Sequence, residues 1–313
     1  MNNKVVRIGT RGSKLALWQA YHVADLLKAK GQNSEIVIIE TKGDKILDVS
    51  ISKIGSKGVF TEELEEQLAS GSIDIAVHSA KDMQSSLPEG FELIAFTERE
   101  KVNDIILSHH SDIDYQDASR PIVLGTSSTR RVSTLKHFYP HVKTVEVRGN
   151  LQTRIAKMES GICDALLLAY AGAHRMGYDE LIRHELSLDE FTPAVGQGSV
   201  AIESSANLDP NLRHLIIDAC HHVPTGYRLL AERSYLRVLE GGCSIPVFAL
   251  ADLEGDDLTL KGGIVSLDGA ERIVHQVTGA PQEAEQLGVK LATLVLESGG
   301  DKILKSIKSE LKK

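Results

Sequence analysis

The sequence predicts an α/β protein in which two similar lobes with mainly parallel sheets are followed by a smaller C-terminal α+β domain with a three-stranded antiparallel sheet. Three observations support this fold class. At 313 residues the chain is longer than one hydrophobic core usually allows. A pattern of alternating strands and helices occurs twice along it, and its last part changes to consecutive strands followed by helices.

The first repeated motif is a short apolar strand that ends in Gly-Thr and leads into a helix. It occupies residues 7–13 (RIGTRGS) and residues 123–129 (VLGTSST). Ser13 is predicted to cap the first helix, and Ser128 or Thr129 the second, because a hydroxyl oxygen there accepts a free backbone N–H.

The second repeated motif is an amphipathic helix that ends in Ser-Gly and leads into a buried strand. One copy runs over residues 61–71 into the strand 73–77, and the other runs over residues 151–161 into the strand 164–168. An aspartate lies three residues after the last glycine of each helix. A βαβα order that occurs twice predicts two related lobes. The first copy also contains an extra glycine- and lysine-rich segment, 42–60, which is predicted to be a long loop, either a lid or a disordered segment.

The C-terminal part follows a different pattern. Residues 246–278 contain three strand-like runs separated by turn residues, which predict an antiparallel meander, and two amphipathic helices follow. We therefore expect three domains, formed by residues 1–98 with 199–219, by residues 99–198, and by residues 220–313.

Composition argues against several functions. A net charge of −8 argues against nucleic-acid binding. No apolar run has the length of a bilayer-spanning helix or a signal peptide, so we expect a cytoplasmic protein without a membrane partner. The three cysteines form no CxxC motif and the twelve histidines no HExxH motif, which argues against a disulfide framework and a metal site. No long heptad pattern demands a second subunit, so a monomer is the expected state.

Positive charges nevertheless gather at predicted strand ends. The segment 126–131 (TSSTRR) joins a strand to a helix, where free N–H groups and guanidinium groups favour carboxylates or phosphates. Arg11 follows the first strand in the same way, and Arg148 and Arg154 come shortly after the next strand-like run. Because such loops face the ligand crevice of an open α/β sheet, the pattern predicts a polycarboxylate site in an arginine-lined cleft between the lobes. Solvated surface arginines are the alternative interpretation.

Two further residues are candidates for chemistry. Asp82 follows the strand 73–77 in the run HSAKD and is either a turn residue or a carboxylate that stabilises a cation or exchanges a proton. Cys243 follows two glycines in the run EGGCSIP and is either a nucleophile or a covalent attachment point. Cys163 and Cys220 are predicted to be small buried hydrophobic residues.

Six segments resemble, in order, those of the porphobilinogen deaminase (hydroxymethylbilane synthase) family. They are TRGSKLALWQ at 10–19, HSAKD at 78–82, GTSSTRR at 125–131, RGN at 148–150, AVGQG at 194–198 and EGGC at 240–243. Together they cover essentially the whole chain, and six motifs in register are far more specific than any one of them.

The resemblance implies two lobes like those of type II periplasmic binding proteins, a third α+β domain, and a transferase of tetrapyrrole and heme biosynthesis. The implied reaction joins four porphobilinogen molecules head to tail with loss of ammonia and then releases hydroxymethylbilane by hydrolysis. The resemblance also implies a dipyrromethane cofactor, bound through a thioether to Cys243, to which the growing oligopyrrole stays attached. Asp82 matches the catalytic carboxylate of the family.

The resemblance further implies a set of binding residues. Those that match cofactor- and substrate-binding positions are Arg11, Ser13, Ser79, Lys81, Thr126, Ser127, Ser128, Arg130, Arg131, Arg148, Arg154, Arg175 and Gln197. Lys53, Lys57 and Phe60 fall in or beside the mobile loop of the family.

Three positions depart from the family pattern. Gln84 stands where proline is common, Ser199 where alanine is common, and His174 where lysine is usual. None of them removes a residue that the reaction requires. On the residues alone two alternatives stay open: a two-lobed anion-binding protein without catalysis, and a thiol hydrolase that uses Cys243. The lack of an export signal and the extra domain that carries Cys243 count against the binding protein.

Overall fold

The computed structural model describes residues 5–45, 61–242 and 244–311. The chain forms two compact units, Met1–Glu100 with Gly198–Gly226 and Lys101–Gln197 with Tyr227–Lys313. Each unit contains one five-stranded mixed sheet, and the second unit also contains a three-stranded antiparallel sheet. The predicted fold class is therefore confirmed, while the boundaries of the three domains stay a prediction.

The helices and strands follow one another in an α/β order until the C-terminal sheet. In chain order they are β1 (Val6–Thr10), α1 (Lys14–Ala29), β2 (Ser34–Ile38), α2 (Lys42–Lys45), α3 (Glu62–Ala69), β3 (Ile75–Ser79), β4 (Phe91–Phe96), β5 (Asp104–Leu107), β6 (Val123–Gly125), α4 (Thr129–Phe138), β7 (Lys143–Val145), α5 (Leu151–Glu159), β8 (Ala165–Ala169), α6 (Tyr170–Arg175), β9 (Ile182–Glu185), β10 (Val200–Ser205), α7 (Pro210–Cys220), α8 (Val223–Val238), β11 (Val247–Glu254), β12 (Asp257–Val265), β13 (Arg272–Gly279), α9 (Ala284–Val295) and α10 (Asp301–Glu310).

The two five-stranded sheets share one topology. The first has the order β2-β1-β3-β10-β4, with β1 parallel to both its neighbours and β10 antiparallel to both of its own. The second has the order β7-β6-β8-β5-β9, in which β6 takes the place of β1 and β5 is the reversed strand. Four strands of each sheet thus run in one direction, as predicted. The reversed strands lie outside the repeated motifs, so the repeat did not reveal them.

Local contacts explain why the two lobes share their motifs. The hydroxyl of Ser13 accepts the N–H of Ala16 over 3.3 Å, and that of Ser128 accepts the N–H of Arg131 over 3.4 Å, which confirms both as helix N-caps.

The repeated aspartates tie neighbouring strands together. The carboxylate of Asp74 accepts the backbone N–H of Arg7 over 2.9 Å, and that of Asp164 accepts the N–H of Val123 over 2.7 Å. Each aspartate therefore fixes the strand that follows its helix against the first strand of the repeated motif in the same lobe, which accounts for its regular spacing after the glycine.

The C-terminal sheet is the predicted meander, in which β12 pairs antiparallel with both β11 and β13. Helices α8, α9 and α10 contribute buried side chains to its core, among them Tyr235, Leu291 and Ile307. The hydroxyl of Tyr235 donates to the carbonyl of Gly263 over 2.8 Å, so this buried polar group is satisfied.

The two cysteines that the structure describes are buried and unpaired, as predicted. Burial raises the pKa of Cys163, and it raises the pKa of Cys220 to about 12. Both thiols are therefore poor nucleophiles at neutral pH. None of the described helices is both long and apolar enough to cross a membrane.

Candidate functional site

In the first unit, the predicted binding residues lie at one edge of the sheet. Strands β1 and β3 are parallel neighbours, so their carboxyl ends meet at the same edge. Arg11 and Ser13 follow β1, whereas Ser79 ends β3 and is followed by Lys81 and Asp82 in a 3₁₀ turn. The fold thus brings together five residues that the sequence analysis chose, at the edge where open α/β sheets bind ligands.

The turn that carries Asp82 is held from two sides. The amide of Gln19 on α1 donates to the hydroxyl of Ser79 over 2.8 Å, and the N–H of Ala80 donates to the carbonyl of Ser199 over 2.9 Å. Ser199 is buried, and its own hydroxyl donates to the carbonyl of Thr97 over 3.3 Å, so the departure from alanine is accommodated by a hydrogen bond. Asp82 itself is exposed, which leaves its carboxylate accessible to a ligand.

In the second unit, the equivalent sheet edge carries most of the predicted cations. Strand β6 is parallel to both β7 and β8, so three carboxyl ends meet there. Besides Arg130 and Arg131 on α4, the predicted residues that follow these strands directly or lie in the helices after them are Thr126, Ser127, Ser128, Arg148, Arg154 and Arg175. Nε of Arg154 donates to the carbonyl of Gly149 over 2.8 Å, which orients the guanidinium group. The residue is half-buried.

Arg130 and Arg131 are not open to solvent, in contrast to the predicted arginine-lined cleft. Both are 5% exposed and bind the fully buried carboxylate of Asp104, the first residue of β5. The shortest distances from Asp104 oxygens to each guanidinium are 2.7 Å. Gln197 donates its amide to the same carboxylate over 2.9 Å. Direct ligand binding by Arg130, Arg131 and Gln197 therefore stays a prediction.

This four-residue group, which we call the Asp104 cluster, carries a net positive charge. Burial alone would raise the pKa of Asp104, but the two guanidinium groups lower it well below its usual range, so the carboxylate is ionised. Burial also lowers the pKa of Arg130, although the nearby charge of Asp104 acts to raise it. Two guanidiniums face one carboxylate, and Nε of Arg130 has no hydrogen-bond partner among the described residues. Such an excess of buried positive charge favours an anion nearby.

Asp104 could not be singled out from the sequence, because an aspartate at the start of an apolar strand is an ordinary feature. We expect Asp104→Ala to lower the free energy of unfolding by roughly 3–5 kcal/mol, because it leaves two buried guanidiniums without their counter-charge. Urea denaturation of the full chain measures this change. Asp112→Ala, at an exposed position, is the matched control and should stay within about 0.5 kcal/mol of the wild type. Equal effects of the two substitutions would contradict the assignment.

Four predicted residues lie outside the described part of the chain: Cys243, Lys53, Lys57 and Phe60. Contacts are described on both sides of Cys243. A Cβ on the buried Gly241 would lie 2.5 Å from Cδ1 of Leu236, and the N–H of Ile245 donates to the carbonyl of Gly242 over 3.0 Å. At the third departure, Nδ1 of the exposed His174 lies 2.7 Å from a carboxylate oxygen of Asp179.

Comparison with known proteins gives a consistent result over nearly the whole chain. Residues 6–213 match the family model described as porphobilinogen deaminase, dipyromethane cofactor binding domain, and residues 227–297 match that of its C-terminal domain. Over 311 residues the chain is 58% identical to a porphobilinogen deaminase of Cytophaga hutchinsonii, with 99% of each chain covered. It is 55% identical to one of Desulfosudis oleivorans, covering 97% of this chain and 98% of that one. A solved structure, the periplasmic VFT2 domain of Bordetella pertussis BvgS, shares 16% identity at a TM-score of 0.43 and covers 70% of this chain and 87% of its own.

Proposed function

Because the chain belongs to the porphobilinogen deaminase family, we propose that it joins four porphobilinogen molecules head to tail with loss of ammonia and releases hydroxymethylbilane by hydrolysis. This makes it a transferase of tetrapyrrole biosynthesis and, more narrowly, a hydroxymethylbilane synthase. The placement of Asp82 carries the proposal: an exposed carboxylate on a supported turn, at the same sheet edge as Arg11 and Lys81. The alternative of anion binding without catalysis is not supported, because the curated relatives named above are deaminases over their full length.

The donor set of the second unit fits a group that bears several carboxylates. The positive Asp104 cluster, the hydroxyls of residues 126–128 at the start of α4, and Arg148 and Arg154 all offer hydrogen bonds to oxygen anions. We assign to them the acetate and propionate groups of the dipyrromethane cofactor and of the growing oligopyrrole. The dipyrromethane, when bound, supplies the pyrrole to which the first substrate unit is added, and Cys243 is the proposed thioether attachment point.

Asp82 is the proposed catalytic residue. Loss of ammonia from porphobilinogen leaves positive charge on the substrate, and a carboxylate next to that charge stabilises it. The same carboxylate is placed to exchange a proton with the substrate. Ser79 precedes the turn and Lys81 lies within it, and both are proposed to hold a substrate carboxylate, so that the reacting atoms stay next to Asp82.

A test of the binding assignment is Arg148→Leu, which removes one cation from the second unit. A lost charge-assisted hydrogen bond of roughly 1.5–3 kcal/mol should lower kcat/KM for porphobilinogen by about 10- to 100-fold. Steady-state assays of porphobilinogen consumption measure this change. The control is Arg120→Leu, since the side chain of Arg120 is 62% exposed and its ion contact with Asp117 is long, at 3.7 Å. If both variants kept wild-type kcat/KM, Arg148 would be a surface charge with no part in binding.

A further inference from the structure

Three titratable side chains of the first unit are buried on α3, β3 and β10, and none of them belongs to the predicted site. Glu65 is on α3, His78 is on β3 and Glu203 is on β10, with 8%, 7% and 0% of their surfaces exposed. All three belong to the first unit. Buried ionisable groups without an evident structural need call for a functional explanation.

The strand register places His78 and Glu203 on one face of the sheet. Ala201 pairs with His78 and Glu203 pairs with Ala76, so the two side chains are diagonal neighbours on the same face. Nε2 of His78 lies 3.0 Å from a carboxylate oxygen of Glu203. Helix α3 covers this face, because Leu64 packs with Ala76 in one apolar cluster.

This buried group is short of hydrogen bonds and of positive charge. Neither carboxylate oxygen of Glu203 nor Nε2 of His78 has a partner in hydrogen-bonding geometry within the described residues, although the two side chains lie in close contact. If all three groups were ionised, two carboxylates would face one imidazolium. Burial raises the pKa of Glu65; the hydroxyl of Thr61 and His78 oppose this shift, while Glu203 and Glu62 add to it. One proton on Glu65 removes the excess negative charge.

Gln84 connects this group to the turn. Its amide donates to the hydroxyl of Thr61 over 3.2 Å and to a carboxylate oxygen of Glu65 over 3.5 Å. It lies two residues after Asp82, and Met83 between them is buried. The position where the family commonly has proline, which fixes the backbone by its ring, therefore holds here a side chain that ties the turn to α3.

We propose that Glu65 is a positioning residue for Asp82, which acts through Gln84 and holds the catalytic turn in place while Glu65 carries a proton. The proposal rests on the proposed function. Ionised Glu65 accepts hydrogen bonds from Thr61 and Gln84 more strongly, but it is buried and repelled by Glu203 and Glu62. Because burial and this repulsion outweigh the gain, the ionised side chain moves away from Thr61 and Gln84, and the turn loosens. Protonated Glu65 is neutral and stays at the end of the Gln84 amide. Because the pKa of Glu65 is raised in the folded protein, protonated Glu65 stabilises the fold. This stabilisation is fully present below the ordinary carboxyl range and is lost as the pH rises through the raised pKa.

The test compares Glu65→Gln, a neutral analogue of protonated Glu65, with Glu66→Gln, the same change at the next, exposed position of α3. For each full-length protein, kcat and KM for porphobilinogen and the free energy of unfolding are measured against pH. At low pH, the kcat of Glu65→Gln should match that of the wild type within about twofold. At high pH, the wild-type kcat should fall to about one tenth of the Glu65→Gln value, while KM stays unchanged. Glu66→Gln should follow the wild type throughout.

A second variant, Gln84→Met, separates positioning from packing. In this variant kcat should no longer change with the ionisation of Glu65. The free energy of unfolding should keep its dependence on pH, since Glu65 still titrates. A wild-type profile for Glu65→Gln, or a parallel loss of kcat and stability at every pH in both variants, would overturn the inference. A wild-type chain without any turnover of porphobilinogen would overturn the proposed function and this inference with it. An active wild type with an unchanged Glu65→Gln profile would overturn the inference alone.

Discussion

Replacing Asp82 with asparagine is expected to lower kcat by roughly two to four orders of magnitude, the effect of removing a charged group that stabilises or protonates the reacting atoms. Asparagine keeps the shape of the side chain but has no charge and no exchangeable acid proton near neutral pH. Since Asp82 is exposed, its loss should change the free energy of unfolding by no more than about 0.5 kcal/mol. The loss of turnover would then report chemistry and not folding.

Two measurements check this prediction together. Single-turnover kinetics with porphobilinogen give the rate of the first condensation, and intact-protein mass spectrometry shows whether the cofactor is still attached. We expect the adduct to be retained and the rate to collapse. Asp112→Asn, an exposed aspartate of the second unit, should keep both. Near-normal turnover in Asp82→Asn would remove Asp82 from the catalytic role.

Much of the fold could be predicted because its signals are local. Ser13 and Ser128 lie directly before the helices that they cap, and the glycines that terminate α3 and α5 lie within two residues of the helix ends. The repeated aspartates were visible as a spacing, although their purpose, an anchor for the N–H of Arg7 or Val123, required the structure.

What could not be predicted depends on pairings between distant segments. The sequence does not show that β5 and β10 each run against the other strands of their sheets. For the same reason the partnership of Asp104 with Arg130 and Arg131, across 26 and 27 positions, was not visible. The arginine pattern predicted a concentration of positive charge, but it did not predict that one carboxylate is buried with two of the cations.

The first unit gives a similar lesson at Gln84. On the sequence it was only a departure from the family pattern, whereas in the fold it reaches Thr61 and Glu65 on another element. A substitution that looks neutral in a motif can thus gain a partner that the motif does not contain.

The largest effect is expected from Cys243→Ser, because it removes the proposed attachment point of the cofactor. A serine hydroxyl is a far weaker nucleophile than a thiolate at neutral pH, so the thioether should not be replaced by an ether. Turnover should then fall by at least about three orders of magnitude, since the growing chain would no longer be tethered to the protein.

The other two cysteines provide internal controls. Cys163 and Cys220 are buried, and burial raises the pKa of each thiol, so neither should react in place of Cys243. Cys163→Ala and Cys220→Ala should therefore keep the adduct. The outcome also separates the thiol-hydrolase alternative, in which Cys243 would be needed for turnover but would carry no lasting modification.

The central claim is a cysteine-tethered dipyrromethane, and the mass of the intact protein tests it most directly. The wild-type chain should exceed the mass of its sequence by one increment equal to two linked porphobilinogen-derived units, and Cys243→Ser should show the mass of its sequence alone. An active wild-type protein with no added mass, or an increment that persists in Cys243→Ser, would contradict the account.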